Sequence, residues 1–183
     1  MRFFLGWPIV LCFLVKVEAQ NRFSTRNGEI KFASKAQLEL IKASSNEMQG
    51  IIDASTNKFA FLVKMQSFHG FNSELQRKHF NENYVESEKF PMGKFSGKII
   101  EQVDYSQDNT TEVRAKGELE IHGQKQTRII KAKITIKGNQ LIIETHFMVP
   151  LSDHSITIPK IVSQKIATEI EVNINSTLSR TDQ

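Results

Sequence analysis

The sequence predicts a one-domain, all-β protein: an antiparallel barrel with a short helical insert covering one end. Three observations carry this. Most of the chain alternates apolar and charged residues with a period of two, which no 3.6-residue helix tolerates. The strands read between Thr111 and Leu178 are long, and closure removes the exposed edges that long strands leave. One stretch, Leu75–Phe95, interrupts the alternation with an aromatic-bearing segment rich in Asn, Glu, Lys and His.

Residues 1–19 read as a cleavable secretory signal peptide. Arg2 supplies the positive start, Phe3–Val15 the apolar run and Val17-Glu18-Ala19 the cleavage site. A membrane-spanning helix needs about 20 unbroken apolar residues, and this run ends at Lys16. Cys12 follows Leu11 inside the apolar run, which is not where a lipid-modified cysteine sits. Removal of residues 1–19 leaves 164 of 183 residues (183 minus 19), a length that suits one core-bearing domain, 20–183. The only cysteine leaves with the leader, so neither disulfides nor cysteine chemistry are available to the remainder. Arg2, Lys16 and Glu18 leave too, taking Lys plus Arg from 24 to 22 and Asp plus Glu from 20 to 19. Those charges alternate along strands. A nucleic-acid surface would want a dense basic face, so no nucleic-acid partner is expected, while transient contact with an anionic membrane surface remains open.

In chain order, Gly28–Ser34 alternates Ile30 and Phe32 against Glu29 and Lys31. Gln37–Ala43 carries Leu38 and Leu40, and Met48–Ala54 is ambiguous. Lys58–Phe68 places Phe59, Phe61, Val63 and Met65 on one face. Ser73 and Gln76 then form an S-x-x-Q helix start, and Pro91 stops any helix and extends Phe90. Phe95–Tyr105 resumes the alternation. Thr111–His122 is the clearest strand, with Val113, Ala115, Gly117, Leu119 and Ile121 opposite six polar or charged residues. After a turn at Gly123-Gln124-Lys125, Arg128–Lys137 carries Ile130, Ala132, Ile134 and Ile136. Gly138-Asn139 makes a two-residue hairpin into Leu141–Val149. Ser155–Ile158 reads as a short strand and Lys165–Leu178 as the last, eight or nine strands in all.

Apolar faces can be buried in a sandwich or in a barrel. Small residues at the centre of the best strand (Ala115, Gly117), with Ala132 near them, favour a barrel with space inside. The same pattern is also met by Phe and Ile filling that space. By alternation the candidate lining is Phe59, Phe61, Val63 and Phe95 from the first half of the chain. Ala115, Gly117, Leu119, Ile134, Ile136, Phe147, Ile170 and Val172 follow from the second. Phe80, Tyr84 and Phe90 would close the mouth.

Three segments resemble the YceI family of exported, polyisoprenoid-binding-like proteins. They are LQRKHFNENYVESEKFPMGKFSG (75–97), GELEIHGQKQ (117–126) and, more loosely, FMVPLSDHSITIPK (147–160). Phe80 would stand at that family's insert aromatic and Phe90-Pro91 at its Tyr-Pro. The N-terminal third matches poorly, and Phe80-Asn81 replaces a doubled aromatic. The resemblance implies an eight-stranded, lipocalin-like barrel, periplasmic or secreted. It also implies an apolar tunnel for a long isoprenoid or quinone-like chain, a binding role without catalysis and with no cofactor beyond such a lipid.

Read from the residues alone, two function classes stand: a lipid-holding module and a filled β-domain acting through its surface. Catalytic signals are thin. Histidines 69, 79, 122, 146 and 154 never fall at metal-binding spacing, and there is no nucleophile motif. Glu118 and Glu120 read as a solvated face rather than paired catalytic carboxylates. His122 is expected on the outward face, anchoring a turn. Asn109-Thr110-Thr111 and Asn175-Ser176-Thr177 match the glycosylation pattern, relevant in a eukaryotic secretory host.

Overall fold

Eight strands, each hydrogen-bonded to the next and the last to the first, make a closed antiparallel barrel in simple up-and-down order. The computed structural model describes residues 21–181; the predicted signal peptide lies outside the described residues. The strands are β1 (Arg22–Lys35), β2 (Leu40–Asp53), β3 (Lys58–Lys64), β4 (Met92–Ile99), β5 (Asn109–Ile121), β6 (Gln124–Lys137), β7 (Gln140–Pro150) and β8 (Glu169–Thr181). Closure gives every strand a neighbour on both sides, although β2 meets β3 only from Gln49 to Asp53 and β6 meets β7 only from Ala132 to Lys137.

Inward positions are apolar and outward positions charged, as the alternation requires. Leu141, Ile143 and Val149 of β7 are buried. Outside, Lys94 meets Glu120 at 3.3 Å, Lys125 meets Glu118 at 3.7 Å and Lys133 meets Glu144 at 2.6 Å. Glu118 and Glu120 are thus members of solvated ion pairs. A barrel that spans a membrane needs the reverse pattern, apolar outside and polar within. Among the described residues no helix is long and apolar enough to cross a membrane.

The first two strands break the period. In β1 the inward set runs Phe23, Thr25, then Gly28, Ile30, Phe32. In β2 it runs Ala43, Ser45, then Met48, Gly50, Ile52. Bulges around Arg26-Asn27 and Asn46-Glu47 shift both strands by one residue together, so the pairing recovers beyond them. This is why Gln37–Ala43 and Met48–Ala54 read as separate pieces although β2 is one strand of 14 residues. Ser45 is fully buried yet satisfied, its hydroxyl 2.6 Å from that of Ser67.

Two hairpin turns are as tight as their sequences demand. His122 and Gly123 both take left-handed φ (51° and 69°), the geometry of a type I′ turn. His122 is therefore part of the turn, which begins one residue earlier than expected. At Gly138-Asn139 only the glycine is left-handed (54°), as a type II′ turn requires at its first central position.

Two long connections gather at one end of the barrel. Between β3 and β4, residues 65–91 form a 3₁₀ turn (Met65–Ser67), the helix α1 (Glu74–His79) and a π-helical turn (Phe80–Tyr84). Ser73 caps α1 by accepting from the Gln76 amide at 3.2 Å. The Gln76 side chain does not close the capping box: its oxygen accepts from Asn72 N and its amide donates to Glu39. Between β7 and β8, residues 151–168 run across the same end. Ser155–Ile158 is not a strand. Ser155 takes a left-handed φ of 56° after a 3₁₀ turn, and the Ile156 amide bonds back to Leu151, so no ladder can form.

Candidate ligand-binding site

The inward faces enclose an apolar cavity of about 390 Å³ that opens at the end carrying the two long connections. That volume lies within the range of small-molecule sites. Every strand contributes to its wall.

The opposite end is shut. Tyr105, from the β4–β5 loop, tucks beneath the barrel and donates its hydroxyl to Asn57 Oδ1 at 2.9 Å, while Asn57 Nδ2 donates to Glu101 O at 3.1 Å. Burial, helped by the Asp53 charge, pushes the Tyr105 phenol up to about 12, so it stays a donor. Arg180 lies 4.6 Å over the Phe23 ring and donates to Tyr105 O and Asn21 Oδ1, each at 2.6 Å. Phe23, Leu141 and Leu178 are fully buried above this floor.

At the open end four aromatic rings cluster. Phe80 stacks on Phe32 with centroids 5.4 Å apart and touches Phe71 at 5.2 Å and Phe68 at 6.0 Å. Phe80 and Tyr84, four residues apart at the two ends of the π-helical turn, both lie on the cavity side. Burial raises the Tyr84 phenol above its ordinary value. Glu39 holds the helix down, accepting from Gln76 Nε2 at 2.5 Å and Asn72 Nδ2 at 3.2 Å, while Asn72 also donates to Leu40 O at 3.0 Å. Near the mouth the wall includes the polar side chains of Glu39, Gln76, His79 and Lys165; deeper in it is almost wholly apolar.

The structure brings together Phe59, Phe61, Val63, Phe95, Ala115, Leu119, Ile134, Phe147, Ile170 and Val172 on the cavity wall, with Phe80 and Tyr84 over them. Three expected members stand elsewhere. Ile136 is inward but packs below the cavity, in the core over the floor with Phe23, Tyr105 and Leu141. Gly117 faces Gly97 across β4–β5, where a Cβ would stand 2.2 Å from Ser96 O. It permits a sharp barrel corner and leaves no free volume. Phe90 lies outside the mouth, edge-on to the His122 ring at 4.8 Å and under Lys89.

The candidate lining omits Ile30 and Phe32, although the alternation of Gly28–Ser34 gives them one face, and it omits Met48 and Ile52 because the bulge in β2 hides their phase. Leu151, Ile156, Val162 and Ile166 come from the β7–β8 connection, which has no period at all.

His122 anchors two connections, as a turn residue can. Its Nδ1 donates to His154 O at 3.0 Å and its Nε2 lies 3.5 Å from Glu86 Oε1. His154 is fully buried and donates from Nδ1 to Gln124 O at 3.2 Å. Desolvation pulls its pKa below the ordinary histidine value, so the ring is neutral. Among the described residues no three His, Cys, Asp or Glu side chains gather as a metal site would need.

A family model described as the YceI-like domain matches residues 14–178. No curated protein matches the sequence. Among solved structures, the chain is similar to a polyisoprenoid binding domain from Saccharophagus degradans implicated in plant cell wall breakdown. The TM-score is 0.74 and the identity 11%, over 88% of this chain and 99% of that one. It is also similar to BcnA of Burkholderia cenocepacia, with a TM-score of 0.68 and 12% identity over 82% and 95%. A YceI protein of Campylobacter jejuni aligns over 99% and 94% with a TM-score of 0.56 and 14% identity. At such identities the likeness is one of fold.

Proposed function

The chain belongs to the YceI-like family, and we propose that it is an exported lipid-binding protein. It holds a long apolar chain, of isoprenoid or quinone type, in the barrel interior for carriage, storage or sensing, without catalysis. The observation that carries the reading is the apolar cavity running beneath Phe80. A long hydrocarbon has little to hydrogen-bond, so its affinity must come from buried area, about 25 cal/mol per Å². A wall of Phe, Ile, Val and Met with polar groups near the mouth fits a ligand with an apolar tail and a polar end. The Saccharophagus structure, described as polyisoprenoid binding, supports the same class. The leader read at residues 1–19 supports export to a periplasm or the medium. A filled domain acting through its surface would have no use for such a cavity.

The ligand contacts are proposed to be the ten wall residues named above together with Phe80 and Tyr84. Native mass spectrometry of protein recovered from its host, with organic extraction, tests the reading. The expected result is a stoichiometric lipid in the isoprenoid mass range. A bare protein that also refuses a panel of prenyl lipids would sink it. Ala132→Phe fills the cavity from β6 and is expected to abolish retention while the barrel still folds.

A further inference from the structure

Among the described residues, the three large apolar side chains most exposed to water all stand at the open end: Ile161 (92% exposed), Leu38 (63%) and Leu75 (60%). They come from three segments far apart in sequence. Leu38 lies in the β1–β2 turn, Leu75 on α1 and Ile161 in a 3₁₀ turn (Lys160–Val162) of the β7–β8 connection. Hydrogen bonds bring these segments to one rim. The Leu38 amide donates to Gln164 O at 2.8 Å, and Glu39 accepts from Gln76, the neighbour of Leu75. Glu39, Gln76, His79, Val162 and Lys165 from the same segments form the cavity's mouth.

The rim is also basic. Residues 36–40, 74–79 and 158–166 hold four cations (Arg77, Lys78, Lys160, Lys165) and two carboxylates (Glu39, Glu74), a net charge of +2 from four minus two. Arg77 pairs with Glu74 at 2.9 Å, and Lys78 lies 4.0 Å from Glu82. Lys160 and Lys165, exposed on either side of Ile161, have no carboxylate within 4 Å among the described residues.

We propose that this rim is a docking surface for an anionic lipid bilayer. Ile161, Leu38 and Leu75 sink among the headgroups, and Lys160 and Lys165 meet lipid phosphates. Aliphatic tips ringed by cations match the two components of interfacial binding, apolar burial and attraction to anionic lipid. A second copy of the chain fits less well. Its own rim would present the same cations, and three side chains on three segments fall far short of the ~800 Å² per partner of a stable pair. The inference rests on the lipid-holding reading and deepens it: docked this way, the mouth faces hydrocarbon, and a lipid passes between bilayer and cavity without crossing water.

Hydrogen exchange of the full chain, with and without vesicles of phosphatidylglycerol and phosphatidylethanolamine in equal parts, tests the surface directly. Vesicles are expected to protect residues 36–40, 74–79 and 158–166, and salt to weaken that protection. Ile161→Asp, Leu38→Asp and Leu75→Asp should each weaken vesicle binding about tenfold or more, from lost apolar burial and added like charge. Ile129→Asp, on the outer wall of β6, should leave it unchanged. Absence of rim protection, or rim variants that dock like the parent, would overturn the proposal. So would protection that grows with protein concentration and needs no vesicles, which would identify a second copy as the occupant. Lipid content of the same variants, read by extraction, keeps the two readings apart. Loss of docking with lipid retained bears on the rim alone, and bare protein that still docks bears on the cavity alone.

Discussion

Phe80 of the π-helical turn stacks on Phe32 of β1, ring centroids 5.4 Å apart, and this contact joins the covering segment to the barrel wall. Phe71 and Phe68 complete the cluster. Phe80→Ala is expected to lower stability by roughly 1–3 kcal/mol, less than a full core deletion because the ring is only half-buried. Its larger effect should be on exchange. A fluorescent prenyl probe is expected to leave the variant several-fold faster than the parent, measured by stopped-flow displacement. An unchanged release rate would mean that ligands do not pass this segment.

Gly97 and Gly117 face each other across β4 and β5, and a Cβ on either would stand within about 2.2 Å of the opposite backbone. Gly117→Ala should therefore force the two strands apart, costing about 1–3 kcal/mol by overpacking. Urea unfolding checks this. Because the pair shares one contact, the double variant should cost less than the sum of the singles. Any larger residue at Gly117 tests barrel closure and says little about the ligand.

Tyr105→Phe removes the donor to Asn57 Oδ1 and leaves a buried acceptor unsatisfied. A loss of roughly 1–3 kcal/mol is expected. Prenyl-lipid capacity should be unaffected, because the change lies beneath the floor. Paired denaturation and binding titrations would check both halves.

His154 links stability to pH. Desolvation holds its pKa below 6.5 in the folded state, whereas the unfolded chain titrates near that value. As pH falls through 6.5 the unfolded state takes up a proton that the folded state refuses, so stability falls with pH until the folded pKa is reached. His154→Gln should flatten this slope above the carboxylate range. Asp53, Asp104, Glu101 and Glu171 all have lowered pKa values and contribute their own loss only at more acidic pH. Denaturation midpoints across the weakly acidic range read the difference.

The second half of the barrel was legible because its strands keep one phase from end to end. Between Val113 and Val172 the inward set follows from alternation, and eight of the twelve expected lining residues come from there. What alternation could not distinguish was depth. Ile134 and Ile136 share a face of β6, yet one borders the cavity and the other lies in the core above the floor. The start of β1 and most of β2 were opaque for a different reason. Their paired bulges invert the pattern midway, so a correct reading of either half contradicts the other. Phe90 was misplaced because Pro91 fixes its backbone but not its side, and the ring turns to His122 instead of the cavity.

The floor built by Tyr105, Asn57 and Arg180 makes the barrel a blind tube. Anything threaded into it must leave backwards, last atom in, first atom out. A tube with one stop also acts as a gauge. A tail too short leaves wall uncovered, and one too long leaves hydrocarbon projecting into water, so affinity should peak at one chain length. Residues at the far end from the mouth, which touch no headgroup, would then decide which homologue of a lipid series the protein keeps.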